Sequence, residues 1–422
     1  MNNRGVVAFQ MASRRLAILA MAGTGLVCVL HAQTFITINE VSITAVSADG
    51  STVVGEHYRG YNQPSYAFRW TEATGLKDLG PLPGGRGSVA TAVSSDGSVI
   101  VGYADDPLIN GNESTFRWTA ATGMKDLYYP SPGAQPNAVN ADGTVIVGDT
   151  GTGSFVWTPS TGMVDISALW FPVVGYFRLF GLSSDGALAT GIGDFSNVGW
   201  SALLGALDGG VANIGVYNST VIYGSAGKAL SGDGSTVVGY YGGPSFPFVW
   251  SLSAGFQQLA APGPHNGGNG AAWAVNGDGT VAVGNGSSSN GSRALIWINP
   301  STTPANWFDL NTYLPANGVT TPCNGCLLNA VGVSSDGLTI VGGLPSGSGI
   351  PAGWYARIPC NHSFCPADLT CDKSVDLSDL SKLLSNYGKS PASPEDGDLT
   401  GDHVIDLSDL AIMLSTYGST CP

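Results

Sequence analysis

The chain has 422 residues, of which 61 are glycine; 43% are hydrophobic, 11% are charged, and the formal charge is −14. The hydrophobic share excludes an intrinsically disordered chain, and the acidity excludes the basic footprint that nucleic-acid binding needs. Length alone suggests about three domains, but internal repetition overrides that prior.

Arg4, Arg14 and Arg15 precede an apolar run from Leu16 to Leu30. That run suits a signal-peptide core and is short for a membrane span. Residues 1–32 read as a signal peptide cleaved after Ala32, which places the protein in a secreted or cell-surface setting. No other stretch is long and apolar enough to span a bilayer. Cys28 leaves with the signal. The six cysteines that remain (323, 326, 360, 365, 371 and 421) form an even set, which in an exported chain implies disulfides.

Residues 33–358 repeat one short phrase seven times, from AVSADGSTVVG at 45–55 to GVSSDGLTIVG at 332–342. Its aspartate falls at 49, 96, 142, 185, 233, 278 and 336, in steps of 47, 46, 43, 48, 45 and 58 residues. Asp-Gly between two apolar or β-branched runs signals a hairpin, read here as a tight primed turn. A glycine closes each phrase (55, 102, 148, 191, 239, 284, 342), which suits a bend or a close approach of backbones. An apolar-aromatic run ending in Trp follows (70, 118, 157, 200, 250, 297, 354), and these tryptophans read as packing between neighbouring units. Then comes a glycine-started segment such as TGLKDL (74–79), TGMKDL (122–127) or TGMVDI (161–166). Four strands per unit, seven times, predict an all-β, seven-bladed β-propeller. The seventh unit lacks a fourth strand, and TFITINE (34–40) supplies a spare one ahead of the first unit. Pairing the two closes the ring and removes free sheet edges.

The longest step holds an insertion near 300–328 with Trp307, Pro315 and the pair Cys323 and Cys326. It reads as a rim loop stapled by a local disulfide. Residues 359–367 form a short linker.

At 368–422 the pattern changes to a doubled, helix-spaced tail. DLTCDKSVDLSDL (368–380) and DLTGDHVIDLSDL (398–410) place oxygen ligands at the spacing of a twelve-residue calcium loop. The first set is Asp368, Thr370, Asp372, the Ser374 carbonyl, Asp376 and Asp379. The second is Asp398, Thr400, Asp402, the Val404 carbonyl, Asp406 and Asp409. Two Ca2+ ions are expected. Loop position 6, normally Gly, is Lys373 and His403, and position 12 is Asp rather than Glu. Each loop runs into an amphipathic helix, with Leu377, Leu380, Leu383, Leu384 and Tyr387 on one apolar face and Leu407, Leu410, Met413, Leu414 and Tyr417 on the other copy.

The tail resembles a type I dockerin, in which two EF-hand-type calcium loops each lead into one helix and Asp at position 12 is usual. The resemblance implies a cohesin-like or cell-surface protein partner, contacted through loop positions 10 and 11, here Leu377-Ser378 and Leu407-Ser408. Dockerin termini lie close together, which suggests a Cys365–Cys421 clasp with Cys360–Cys371, one of three connectivities. The region 40–358 is similar to the extracellular HAF-type repeat family, through AFRW (67–70), the Gly-x-x-Asp-Leu segments and the Asp-Gly hairpins. That likeness implies export and a propeller-like fold and brings no defined activity.

Two function classes follow. One is a binding protein whose rim aromatics (Tyr58, Tyr61, Tyr103, Tyr128, Tyr129, Tyr240, Tyr241) hold a polysaccharide or a protein while the tail tethers it. The other is a carbohydrate-active enzyme, a hydrolase or lyase in polysaccharide catabolism. A glycosidase needs two carboxylates flanking a bond, and Asp105 and Asp106 with Glu56 or Glu113 are the nearest candidates. The expectation is loop acids on a solvated rim, with no catalytic residue assigned.

Overall fold

The structure is a computed structural model that describes residues 34–106, 112–127, 133–196, 198–217, 220–221, 224–243, 245–262, 269–288, 291–302, 306–323, 325–345, 351–358, 366–370 and 374–419. Residues 1–32, expected from sequence to be a signal peptide, Tyr128, Tyr129, residues 359–365, Asp372, Lys373 and Cys360, Cys365, Cys371 and Cys421 lie outside the described residues.

Seven four-stranded antiparallel sheets make a β-propeller, joined by a small helical unit at the C-terminus. Blade 1 runs through Val41–Val46, Val53–His57, Tyr66–Thr71 and Gly75–Asp78, paired in chain order. Blades 2 to 6 repeat that order. Blade 7 contains Asn329–Val333, Thr339–Leu344 and Ala352–Arg357, and its outer strand is Thr34–Asn39 from the other end of the chain. Thr34 faces Arg357 and Asn39 faces Ala352 in unbroken register. The expected closure is therefore present.

The first strand of each blade lies innermost, because these seven strands together wall the axial channel. At one end of the channel the Asp-Gly turns join into a ring. The N–H of Asp49 donates to Ser95 O, Ser95 to Ala141 O, Ala141 to Ser184 O, Ser184 to Gly232 O, Asp233 to Gly277 O, Gly277 to Ser335 O and Ser335 to Ala48 O, at 2.7 to 3.2 Å. One backbone bond crosses each of the seven interfaces, so these inward-facing amides are satisfied without water. An apolar cluster fills each interface, such as Val54, Leu82, Ile100 and Phe116 between blades 1 and 2.

The turns are not primed. A type I′ turn needs positive φ at both central residues, and here only the glycine of each Asp-Gly has it, as at Gly50 (φ 73). The loop between paired Val46 and Val53 instead folds around the aspartate. Asp49 accepts from Ser51 N–H at 2.9 Å and Ser47 Oγ at 2.5 Å, while Ser47 Oγ accepts from Thr52 N–H at 2.9 Å. The Ser two residues before the Asp, or Asn at 140 and 276, is thus part of the motif.

These bonds set a pH dependence. Ser98 bonds hold Asp96 below the ordinary aspartate value of 3.8, Thr144 does the same for Asp142 and Ser183 for Asp185. A depressed folded-state value contributes stability that is complete above the unfolded value and lost as pH falls through the folded one. Propeller stability should therefore hold from neutral pH down to about 4 and fall below it. Ser98→Ala plus Ser183→Ala should flatten that acid limb in a denaturation series; an unchanged limb would refute the assignment.

The closing glycines are fixed by close approach, as expected. A Cβ on Gly102 would stand 2.0 Å from Val89 O and 2.8 Å from Phe116 Cε1, and the other six meet the equivalent carbonyl at 1.9 to 2.1 Å. The cause lies opposite. Every innermost strand carries a one-residue bulge there, at Thr44, Thr91, Asn137, Phe180, Lys228, Trp273 and Val331. A bulge bends its strand and re-aims its side chain.

Two repeat tryptophans do not hold the interior place of the others. Trp118 pairs with Ile100 in blade 2, but in blade 4 the equivalent partner of Ala189 is Gly205. Trp170 lies over Gly205 and donates to Ala206 O at 3.3 Å, so it fills the gap. Trp200 is displaced to the far end of its strand, 42% exposed. Trp354 pairs with Gly342, the place held by Phe116 in blade 2.

The 300–328 insertion is not an open rim loop. It forms α1 (Leu310–Ala316), capped by Asp309, and buries Leu310, Leu314, Val319 and Leu327 against blades 6 and 7. Cys323 and Cys326 are disulfide-bonded with Cα atoms 5.8 Å apart, which is the local staple expected.

Candidate functional sites

The tail contains α2 (Leu377–Ser385) and α3 (Leu407–Thr416), each opening on a capping box. Asp376 accepts from Ser378 N–H at 2.7 Å and Asp406 from Ser408 N–H at 2.7 Å. Both sequence-expected ligands are therefore helix N-caps here, at the loop position that commonly reaches calcium through water. The strands of the two loops brace each other's helix ends: Val375 N–H donates to Ser419 O and Ile405 N–H to Lys389 O.

Asp368, Asp379, Asp398 and Asp409 are buried. Carboxylates are rarely buried without a partner or a metal. In the second loop Asp398, Asp402 and Asp409 each bring a carboxylate oxygen within 4.8 Å of the others. Thr400 Oγ1 joins them, 3.1 Å from Asp409 and 3.4 Å from Asp398. In the first loop Thr370 Oγ1 donates to Asp379 at 2.9 Å, the same relation. This donor set is all oxygen, which fits a hard cation such as calcium. Asp398, Thr400, Asp402 and Asp409 would hold it in the second loop and Asp368, Thr370 and Asp379 in the first. The ion would neutralise the converging charges and tie each loop to its helix.

Not all of the expected apolar helix face turns inward. Leu383 and Met413 are buried, with Leu380 and Leu410 beside them, around Val375 and Ile405. Leu377, Leu384, Tyr387, Leu407, Leu414 and Tyr417 are exposed. A module this small has interior room for only one row of the stripe.

In the propeller the acids named from sequence are strand residues, not loop residues. Asp105 pairs with Glu113 across Val99–Asp106 and Asn112–Thr119, and Glu56 lies in Val53–His57. Glu56 accepts from Tyr58 Oη at 2.9 Å and Ser65 Oγ at 2.5 Å, Glu113 accepts from Gln135 Nε2, and Asp105 accepts from Gly87 N–H at 3.0 Å. Burial together with Glu56 pushes Tyr58 up to about 12, and burial with Glu113 and Glu56 raises Tyr103. These acids tie strands and neighbouring blades together.

Of the aromatics named from sequence, Tyr61 is almost fully exposed. Tyr241 packs against Phe246 and Phe256 and donates to Gln258 at 2.7 Å. Tyr240 instead faces a cavity of ≈ 560 Å³ between blades 4 and 5, shared with Tyr176, Arg178, Phe180, Ile192, Trp200 and Ala226. The sequence named Tyr240 as a rim aromatic and Trp200 as packing between units, but nothing in it marked Tyr176, Arg178 or the bulge residue Phe180.

The likenesses to known proteins are to solved structures. One is TolB from Acinetobacter baumannii, at 15% identity and TM-score 0.38, covering 54% of each chain. Another is oligogalacturonate lyase from Vibrio parahaemolyticus, at 12% identity and TM-score 0.48, covering 76% of this chain and 91% of that one. A third comes from a study of two prolyl endopeptidases, at 11% identity and TM-score 0.47, covering 78% of this chain and 51% of that one. This chain thus spans about half the length of the first and third. No known family profile and no curated protein matches it. The blade count rests on the sheet order and on the seven-bond axial ring.

Proposed function

We propose that the protein is an exported binding module, with a seven-bladed propeller that holds a glycan and a dockerin-like tail that tethers it through calcium. The observation that carries this reading is the pairing, in one chain, of a rigid closed ring with a doubled set of buried carboxylates. A buried cluster of like charge is unstable by itself and stable around a cation. The exposed leucines and tyrosines of α2 and α3 then supply the docking surface, since aromatic and apolar side chains anchor protein contacts. Leu377-Ser378 and Leu407-Ser408 hold the positions used for partner contact in dockerins.

The test is retention of the full chain on the producing cell's surface fraction. Retention in calcium, release by chelator and loss in a Leu377→Asp, Leu407→Asp variant are expected. Retention that ignores chelator would overturn the tether.

A further inference from the structure

We propose that the cavity between blades 4 and 5 is a binding site for an acidic saccharide, with Arg178 and Lys228 as its charge partners and Trp200, Tyr176 and Tyr240 as its ring platforms. This rests on the glycan-binding reading above and names the ligand class.

The argument starts at the bulges. In blades 1 to 3 the bulge side chain ties one blade to the next: Thr44 Oγ1 donates to Ala90 O at 2.8 Å, Thr91 Oγ1 to Pro136 O at 2.7 Å and Asn137 Nδ2 to Leu179 O at 2.8 Å. That chain stops at Phe180, which has no donor. The next bulge is Lys228, whose ammonium sits 3.8 Å from the Phe180 ring centroid and 5.6 Å from that of Trp273. Among the described residues no carboxylate lies within ion-pair distance of it. Burial pushes the Lys228 ammonium down from its ordinary value. A half-buried cation held only by rings lacks the counter-charge that a carboxylate or sulfate would bring.

One of its two rings, Phe180, belongs to the cavity wall; Lys228 and Trp273 stand behind that wall, against Phe180 and Tyr240. Phe180 and Tyr240 line the space, and Tyr240 packs on Trp273 at 6.0 Å between centroids. Trp273 is fixed in turn by donating to Asn285 Oδ1 at 2.6 Å. Arg178 is in the wall, held by its Nε–H bond to Tyr176 Oη at 3.1 Å, which leaves its terminal nitrogens for a ligand. Tyr176 and Trp200 meet edge-on at 5.6 Å. No carboxylate is among the lining residues. Two carboxylates stand just outside that lining: Asp149 acts on the Arg178 charge, and Asp194 pairs with Trp200 across the sheet. Flat apolar faces beside two cations match a pyranose ring bearing an anionic group.

The probe is affinity electrophoresis of the full chain, at low and high salt, in gels of sodium alginate, chondroitin sulfate or neutral dextran. Retardation in at least one acidic gel, weakened by salt and absent in dextran, is expected. Alginate against chondroitin sulfate separates carboxylate from sulfate recognition. Lys228→Met and Arg178→Gln should each weaken binding by about tenfold or more. Trp200→Ala, at a position 42% exposed, should do the same. Acidic binding that all three variants leave intact overturns the site. Binding to dextran alone overturns the acidic assignment and leaves the glycan reading standing. No retardation in any gel overturns both, and the tail's calcium response is scored separately.

Discussion

A chain lacking Thr34–Asn39 should unfold roughly 10 °C or more below the full protein and associate at micromolar concentration. The six lost residues are the whole outer strand of blade 7. Ile38 is buried with Val41, Ile43, Phe68 and Tyr355 at the blade 7–1 interface, and Phe35 stacks on Trp354 at 6.1 Å. Burial of side chains of this size contributes about 2 kcal/mol each, so the deletion costs on the order of 5 kcal/mol before any backbone bond is counted. It also bares Ala352–Arg357 as a free edge, the template on which strands of other copies add. Thr37→Ala, at an exposed position on the same strand, should do almost nothing. Differential scanning calorimetry with light scattering decides it. A deletion that melts like the parent and stays monomeric would mean that the ring does not depend on this strand.

That strand was legible because counting strands is a backbone argument: six complete units and one short by a strand leave one place for the leading segment. The closing glycines were legible for a similar reason. A Cβ at Gly102 collides with a carbonyl whatever the neighbouring side chains are, so the same residue recurs in every blade. The bulges that create those collisions were not legible. Their residues are Thr, Thr, Asn, Phe, Lys, Trp and Val, since a bulge constrains the backbone and leaves the side chain free to differ. The differences among the bulges, and with them the proposed Lys228 site, are written in positions that no repeat alignment marks. Trp200 misled for a third reason. It ends an apolar run as its counterparts do, yet pairs with Asp194 near the strand start, while Trp170 from the preceding segment takes the interior place. In the tail the spacing named both loops, but it could not say that Asp376 and Asp406 serve their helices as caps.

Removing calcium should unfold the tail and leave the propeller intact, and single substitutions should rank the ligands. Asp409 is fully buried and accepts from the N–H groups of Leu399, Thr400 and Asp406 at 2.8 to 3.0 Å. Asp409→Ala leaves those donors without their acceptor and removes a proposed ligand, so the loss should be on the order of 3 kcal/mol and calcium binding at the second loop should vanish. Asp406→Ala removes the cap of α3 and should cost about 1 kcal/mol. His403 goes the other way. It holds φ 68 at the loop position where glycine is the usual residue. A side chain in that left-handed conformation costs about 1 kcal/mol, so His403→Gly should bind calcium roughly fivefold more tightly. Isothermal titration with calcium, beside far-UV circular dichroism with and without chelator, reads all three. Equal calcium heats for Asp406→Ala and Asp409→Ala would break the ranking. A chelated chain whose helical signal does not fall would remove the calcium site, because α2 and α3 would then be held by Val375, Leu383, Ile405 and Met413 alone.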